Sequence, residues 1–414
     1  MIYRLEVENF FSIREAQVLD LRVGANVPDP DGRFAPIFPG SDERAPKVVS
    51  VYGANASGKT TILRALQFIA NLVGHSGTPT GQRPVGYPFN DDECAERPTK
   101  IAVELGGILN PSDLEKDEAK AEFGQLRYEV ELFLKDGVVK RIVRENLTHR
   151  AQGTGKWSRV VNRTEGYGVK GSDEFNTGRF RHLLETLRDD ASVISSYAFF
   201  NHPTAEYYAS LGRQVLTNIG VIPAFLSGDH NLMAYLKQQP AILKMLNRDL
   251  RRIDVGVEEL RIEDVPNLGP QARVRHTGHS RELPWEMESQ GTQAFVRLFP
   301  ILHLSMAYGA LALVDEFDTL IHPLVLPEIL RWFYDDQVRN ADGAQIWMSC
   351  HSATLLEYLV KEEVVFAEKD TSGRTSVYSL TDVSSMDDKA PVRRTANLYK
   401  KYLSGAFGAV PVIG

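Results

Sequence analysis

The sequence predicts an α/β fold with a mixed sheet and an inserted, mainly helical region. Short apolar strands that lead into turns occur towards both ends of the chain, at 48–52 and 310–314. Residues 126–134 and 138–143 alternate as strands around Asp136-Gly137, a strong hairpin signal. Between about 176 and 253 the apolar residues instead recur every three or four positions, and Pro240 is placed to open a helix there.

Composition narrows the class of protein. The 414 residues are 43% hydrophobic and 24% charged, with a mean hydropathy of −0.24, which excludes a disordered tail or a collagen. Cys94 and Cys350 are the only cysteines, too few for a disulfide framework or a four-cysteine zinc site. Charges interrupt both the N-terminal segment and the apolar stretch 295–314, so we expect no export signal, no membrane span and a cytoplasmic protein.

A glycine-bearing turn follows the strand at 48–52 and matches G-x-x-x-x-G-K-[ST]. Its glycines let backbone N–H groups converge on a phosphate at a helix N-terminus. Lys59 would reach the β- and γ-phosphates, and the Thr60 hydroxyl would bind Mg²⁺. The predicted nucleotide-binding residues are Gly53, Ala54, Asn55, Ala56, Ser57, Gly58, Lys59, Thr60 and Thr61.

Two adjacent carboxylates end the apolar strand near 311–314. Asp315 would support the Mg²⁺ ion, and Glu316 would act as general base on the attacking water. An apolar strand that runs into an acidic turn is common by itself. Its combination with the loop at 53–60 favours a catalytic role.

Three further segments have the order found in ABC-type ATPases. Ser289, Gln290 and Gly291 open an apolar helix and resemble the signature motif, although Glu288 and Gln290 replace its usual leucine and glycine. The segment 315–323 (DEFDTLIHP) resembles the D-loop, with Asp318 at its centre. His351 ends the strand 345–349 and resembles the switch histidine; a core or capping histidine is the alternative.

A narrower resemblance rests on residues 9–13 (NFFSI), 288–292 (ESQGT), the D-loop segment and the tail 402–411. Together they resemble AAA-type ATP-binding proteins related to the overcoming-lysogenisation-defect (OLD) ATPases. These share a head fold with SMC and RecF-like proteins, and several serve in anti-phage defence. The resemblance implies a P-loop ABC-type ATPase head made of residues 1–150 and 271–414, with 151–270 inserted for dimer or partner contacts.

The same resemblance implies ATP and Mg²⁺ as cofactors and a homodimer that sandwiches the nucleotide. Ser289, Gln290 and Gly291 of one subunit would contact the γ-phosphate held by the other subunit, where Lys59, Glu316 and His351 are catalytic. Ser12 and Arg14 would also contact nucleotide, or else be solvated turn residues. Gln82 and Gln125 are both weak candidates for the glutamine that usually follows the first lobe.

The implied function is an ATP-hydrolysing switch of a defence system that acts with a separate nuclease or toxin; a DNA-repair clamp of SMC or RecF type is the alternative. Glu368 and Asp370 are predicted to begin a hairpin turn with residues 371–373 rather than a nuclease site, since no second carboxylate strand follows. The net charge of −7 does not indicate a nucleic-acid binder. The basic runs at 140–144 and 248–252 leave nucleic-acid binding open. Assembly into higher oligomers and a preference for GTP also stay open.

Overall fold

The computed structural model describes residues 1–79, 83–114, 121–153, 155–166, 168–178, 180, 183, 186–220, 227–253, 256–386 and 397–409. The candidate Gln82, the acidic pair at 387–388 and the end of the tail from 410 lie outside these residues. Among the described residues, no helix combines the length and the apolarity needed to cross a membrane.

Seven strands form an antiparallel sheet, and its hairpins follow the predicted patterns. Asp136 and Gly137 have φ values of 54° and 81°, the left-handed conformation that a two-residue hairpin loop requires. The first two strands of the chain also pair in antiparallel orientation. In spatial order the strands are β10 (Gly168–Gly171), β9 (Ser158–Thr164), β8 (Val138–Ala151), β7 (Phe123–Lys135), β6 (Thr99–Ile108), β1 (Ile2–Glu8) and β2 (Gln17–Asp20).

A second sheet has six strands, of which the first five are parallel and the last is antiparallel. In spatial order they are β11 (Val215–Thr217), β15 (Leu311–Val314), β16 (Gln345–Ser349), β5 (Val48–Tyr52), β17 (Val364–Lys369) and β18 (Thr375–Ser379). Two small sheets hold β3 (Phe34–Pro36) with β4 (Arg44–Pro46), and β12 (Val257–Val265) with β13 (Gly269–His276) and β14 (Leu283–Pro284).

The described helices are α1 (Lys59–His75), α2 (Asp92–Ala95), α3 (Pro111–Leu114), α4 (Val193–Phe199), α5 (Pro203–Arg213), α6 (Asp229–Gln238), α7 (Pro240–Ile253), α8 (Gln290–Ala307), α9 (Leu326–Tyr334), α10 (Leu380–Met386) and α11 (Leu398–Leu403). α1 packs on one face of the second sheet, and α8 and α9 pack on its other face. Pro240 opens α7 as predicted, since the first helical position needs no backbone N–H.

The two sheets share one hydrophobic core with α1. This core contains residues of α1 together with Val7 from the first sheet and Trp347 from the second. The neighbours of Trp347 in β16, Ile346 and Met348, face a second core on the opposite side, which includes α8 and α9. Strands buried on both faces read as continuous apolar runs, and their carboxyl ends meet at one edge of the sheet.

The segment 151–270 carries α4 to α7, but it also supplies strands to both sheets. β9 and β10 continue the antiparallel sheet, and β11 pairs in parallel with β15. Periodicity within the segment indicated its helices, whereas the short β11 has too few residues to produce a pattern. The domain boundaries at 150 and 270 stay a prediction.

Candidate nucleotide-binding site

The loop at 53–60 needs glycine at two positions because other parts of the chain approach it closely. Gly53 has a φ of 153° and Gly58 a φ of 109°. A Cβ at Gly53 would lie 2.2 Å from the carbonyl oxygen of Ala367, and one at Gly58 would lie 2.4 Å from Oγ1 of Thr375. The β17–β18 hairpin therefore supports the loop from outside, and only glycine leaves room for it.

Lys59 is held inside the loop. Its Nζ donates to the carbonyl oxygens of Gly53 and Ala54, both at 2.9 Å, and the residue is 5% exposed. Burial lowers the pKa of Lys59, while the nearby Asp315 opposes that shift. A phosphate group in the loop would supply the counter-charge and new acceptors for this ammonium group.

Asp315 lies at the centre of a hydrogen-bond network at the carboxyl edge of the sheet. The Thr60 hydroxyl donates to Asp315, with its oxygen 3.0 and 3.1 Å from the two carboxylate oxygens. The Ser349 hydroxyl also donates to Asp315 and accepts from the backbone N–H of Glu316 at 2.8 Å. The predicted metal-binding pair, Thr60 and Asp315, is thus brought together.

Thr60 and Asp315 fit Mg²⁺. The ion prefers hard oxygen ligands and usually takes only one or two carboxylates from the protein, with water and phosphate oxygens completing its shell. The described residues hold no group of three or more His, Cys, Asp or Glu side chains that could bind a metal. This donor set suits an ion that arrives with a nucleotide.

Asn218 also positions Asp315, although no sequence pattern indicated it. Its Oδ1 accepts from the N–H of Asp315 at 2.8 Å, and its Nδ2 donates to the carbonyl oxygen of Asp315 at 3.0 Å. Asn218 follows the edge strand β11, which is distant from Asp315 in sequence. Only the parallel pairing of β11 with β15 brings the two together.

Glu316 and His351 line the same cavity, of about 1660 Å³, as residues 55–61 and Ser12. Glu316 has a φ of 52°, an unfavourable conformation for a non-glycine residue and one that is found at functional sites. His351 follows β16, the neighbour of the strand that carries Asp315. All three predicted catalytic side chains, Glu316, His351 and Lys59, therefore line this cavity.

Asp318 has contacts within its own chain. Its Oδ2 accepts from the N–H of His351 at 2.8 Å and also from the N–H of Ser352. Its Oδ1 is buried and has no hydrogen-bond partner among the described residues. The predicted D-loop aspartate thus orients the backbone at His351.

Of the two predicted contacts near the N-terminus, only Ser12 lies at the loop. Its Oγ is 3.1 Å from Oγ1 of Thr61 and 2.8 Å from Oγ1 of Thr375. Thr375 was not predicted, because β18 is remote in sequence, yet its Oγ1 also donates to the carbonyl oxygen of Ser57 at 2.7 Å. It is 2% exposed and joins the loop to the hairpin.

Arg14 does not line the cavity. Its Nε donates to Asp91 at 2.8 Å, and the guanidinium group also pairs with Glu15 and Glu93. The Arg14 hydrogen bond lowers the pKa of Asp91 to about 2. In this structure Arg14 therefore binds the N-terminal end of α2. The local sequence around Arg14 could not reveal this contact.

The signature residues lie elsewhere. Ser289 caps α8, since its Oγ accepts from the N–H of Thr292 at 3.1 Å, and Gln290 is exposed. A Cβ at Gly291 would lie 2.9 Å from the carbonyl oxygen of Leu320, so glycine allows the D-loop to approach α8. Ser289 and Gly291 line a cavity that shares no residue with the cavity at the loop. Within one chain these predicted residues are not brought to the phosphate loop.

The remaining predicted positions have structural contacts. Gln125 lies in β7, where it bonds to Arg150 at 2.5 Å and to Glu43 at 2.8 Å, and it does not line the loop cavity. The predicted turn after Glu368 is confirmed, as β17 and β18 are antiparallel there. Among the basic residues, Arg141 pairs with Glu165, and Arg252 with Glu328.

A search of curated proteins gives no significant match. Two solved structures of SMC heads align over 91% of this chain. One is an SMC head bound to the C-terminal winged-helix domain of ScpA, with 13% identity, a TM-score of 0.45 and 97% of that chain covered. The other is the SMC head domain from Thermotoga maritima, with 12% identity, a TM-score of 0.41 and 98% covered.

The predicted α/β class with a mixed sheet and a phosphate loop between β5 and α1 is confirmed, whereas its assignment to heads of ABC type and the narrower relation to OLD ATPases stay predictions. A family profile matches residues 48–357, which include the phosphate loop, Asp315, Glu316 and His351. The chain therefore belongs to the family described as "AAA domain, putative AbiEii toxin, Type IV TA system".

Proposed function

We propose that the protein binds ATP with Mg²⁺ and hydrolyses it between two copies of the chain, as the switch of an anti-phage defence system. The observation that carries this proposal is the division of the site. The loop and Glu316 line one cavity, and Asp315 bonds to Thr60 of that loop, whereas Ser289 and Gly291 line another cavity on the same chain. Two half-sites on one chain become whole sites when two chains face each other.

Phosphate binding follows from the loop geometry. The first N–H groups of α1 and the preceding loop favour an anion at this helix N-terminus. Lys59 exchanges its two carbonyl partners for β- and γ-phosphate oxygens. The phosphate groups then give the buried ammonium group a partner of opposite charge. Mg²⁺, held by Thr60 and Asp315, would neutralise charge on the phosphates.

Glu316 then acts as general base. It accepts a proton from a water molecule while the water oxygen attacks the γ-phosphorus and the bond to the ADP oxygen breaks, which yields ADP and phosphate. The N–H bond of Glu316 to Ser349 fixes the backbone from which this carboxylate projects into the cavity. His351 lines the same cavity and supplies a polar group near the γ-phosphate.

The second copy contributes its signature. The N-terminus of α8, with Ser289 and Gly291, is the anion site that contacts the γ-phosphate across the dimer. Three exposed apolar side chains lie in or next to the signature and D-loop segments, namely Met287, Leu320 and Leu324. Burial of such exposed apolar side chains by a partner is favourable.

A role in defence is supported by the family description, which names a toxin of a type IV TA system. In this proposal ATP closes the dimer, hydrolysis opens it, and a separate effector such as a nuclease or a toxin responds to the two states. ATPase activity measured with and without duplex DNA separates this role from that of a repair clamp. A several-fold stimulation by DNA alone would contradict the defence proposal in favour of the clamp.

Complementation tests the shared site directly. A Lys59→Ala chain keeps its signature and a Ser289→Ala chain keeps its loop, so each variant alone should be inactive. A mixture should regain up to one working site per heterodimer, measured as phosphate release. Lys59→Ala mixed with the double variant Lys59→Ala/Ser289→Ala is the control and should stay inactive. Absence of recovery at every mixing ratio would overturn the trans arrangement.

A further inference from the structure

Glu288, the residue before the signature serine, is a carboxylate held in the turn that precedes α8. Its side chain is 5% exposed. One oxygen accepts from the backbone N–H of Ser289 at 2.7 Å, and the other lies 2.7 Å from Nε2 of His276. Because an ionised carboxylate can only accept, the ring of His276 donates in this pair.

His276 lies at the end of β13, outside the signature segment. It belongs to the three-stranded sheet, where it pairs with Val257 of β12, and its ring lies 5.5 Å from the ring of His279. The rest of the turn is tied by other bonds. Gln293 donates to the carbonyl oxygen of Trp285 at 2.9 Å, and Trp285 donates to Asp229 at 2.7 Å. The backbone of the turn is therefore held independently of His276.

The N-terminus of α8 can bind either of two anions. The N-terminus of α8 attracts negative charge, whether from a side chain or from a phosphate group. Glu288 already accepts one N–H bond at the turn that precedes the helix. A carboxylate that was free to rotate would compete for the same helix terminus with the γ-phosphate of the partner's nucleotide.

We propose that His276 is a positioning residue for the trans phosphate contact: by holding the Glu288 carboxylate, it keeps this internal anion off the N-terminus of α8. The inference rests on the proposed function, since it assigns the role to the signature half of the shared site. Where the signature motif usually has leucine, this chain has Glu288. Its signature therefore needs a second residue, His276, to receive a phosphate.

Composite heterodimers test this inference. The donor chain carries Lys59→Ala and keeps a working signature; the recipient chain carries Ser289→Ala and keeps a working loop. His276→Phe in the donor should lower phosphate release of the mixture by about tenfold, the size expected for one charge at a partly buried helix terminus. The same substitution in the recipient should leave activity unchanged, because the signature of that chain is already disabled.

A second substitution separates competition from a structural tether. Glu288→Gln in the donor, added to His276→Phe, should restore activity, since a neutral amide does not compete as an anion. Equal losses in donor and recipient, or no recovery with Glu288→Gln, would show a structural role and overturn the inference.

Two controls keep the outcomes distinct. If the unmodified donor and recipient fail to complement, the proposed function itself is wrong; if they complement and His276→Phe in the donor has no effect, only this inference is wrong. Should His276→Phe not fold, as judged by its thermal transition, His276→Gln retains a donor to Glu288 and should keep most of the composite activity. A tenfold loss with that variant would contradict the hydrogen-bond role.

Discussion

The phosphate-loop half and the signature half of this chain differ in how they are held. The loop is braced by buried groups of its own chain, such as Lys59 and Thr375. The signature half is more exposed: Met287 is 71% and Leu324 73% exposed, and the Ser289 hydroxyl bonds to Thr292 in its own helix turn. Under the proposed function, one half is preformed for a nucleotide, and the other half receives a surface of a second chain.

The largest effect is expected at the preformed half. Lys59→Ala should weaken ATP binding by about a hundredfold, because a charge-assisted contact to phosphate is worth up to about 3 kcal/mol. Titration calorimetry measures the dissociation constant. Lys244→Ala, on the exposed side of α7, is the matched control and should bind normally. An unchanged constant for Lys59→Ala would remove the loop from nucleotide binding.

Glu316→Gln should separate binding from turnover. The amide cannot accept the proton of the attacking water, so the rate of hydrolysis should fall by about a factor of 10² to 10⁴ while ATP still binds. With hydrolysis blocked, the closed dimer should accumulate, which size-exclusion chromatography with ATP would show. Turnover at the wild-type rate would exclude Glu316 as the base.

Gly291→Ala tests the outward-facing half without touching the loop. The new Cβ would lie 2.9 Å from the carbonyl oxygen of Leu320 and should displace the D-loop. We expect phosphate release to fall by about tenfold, a cost of about 1.4 kcal/mol, with an unchanged dissociation constant for ATP. Gly24→Ala, where a Cβ meets nothing within 4 Å, is the control. A parallel loss of ATP affinity would show that the two halves are coupled within one chain.

The smallest effect concerns the brace of the loop. Thr375→Val keeps the shape of the side chain but removes its bond to the carbonyl oxygen of Ser57, which should lower the free energy of unfolding by about 1 kcal/mol. Urea denaturation measures this loss, and Thr371→Val in the exposed turn should cost less. Equal costs for both variants would deny the hairpin its bracing role.

Local patterns were sufficient for much of the fold and of the preformed half-site. The loop at 53–60, the strands before Asp315 and His351, and the turn at Asp136-Gly137 each depend on residues adjacent in sequence. Periodicity and turn chemistry act over a few residues, so a sequence displays them directly. The residues that we propose to bind phosphate, support a metal ion and activate water were predicted from the same short segments.

The tertiary structure decided which of these residues meet and what braces them. Asn218, Ser349 and Thr375 reach the site through strand pairing between distant segments, which leaves no short-range signal. Arg14 forms ion pairs with carboxylates at α2 that are distant from it in sequence. The separation of Ser289 and Gly291 from the loop likewise depends on where α8 packs against the second sheet. Contacts of this kind are set by the packing of the whole core, because their partners are neighbours in space and remote along the chain.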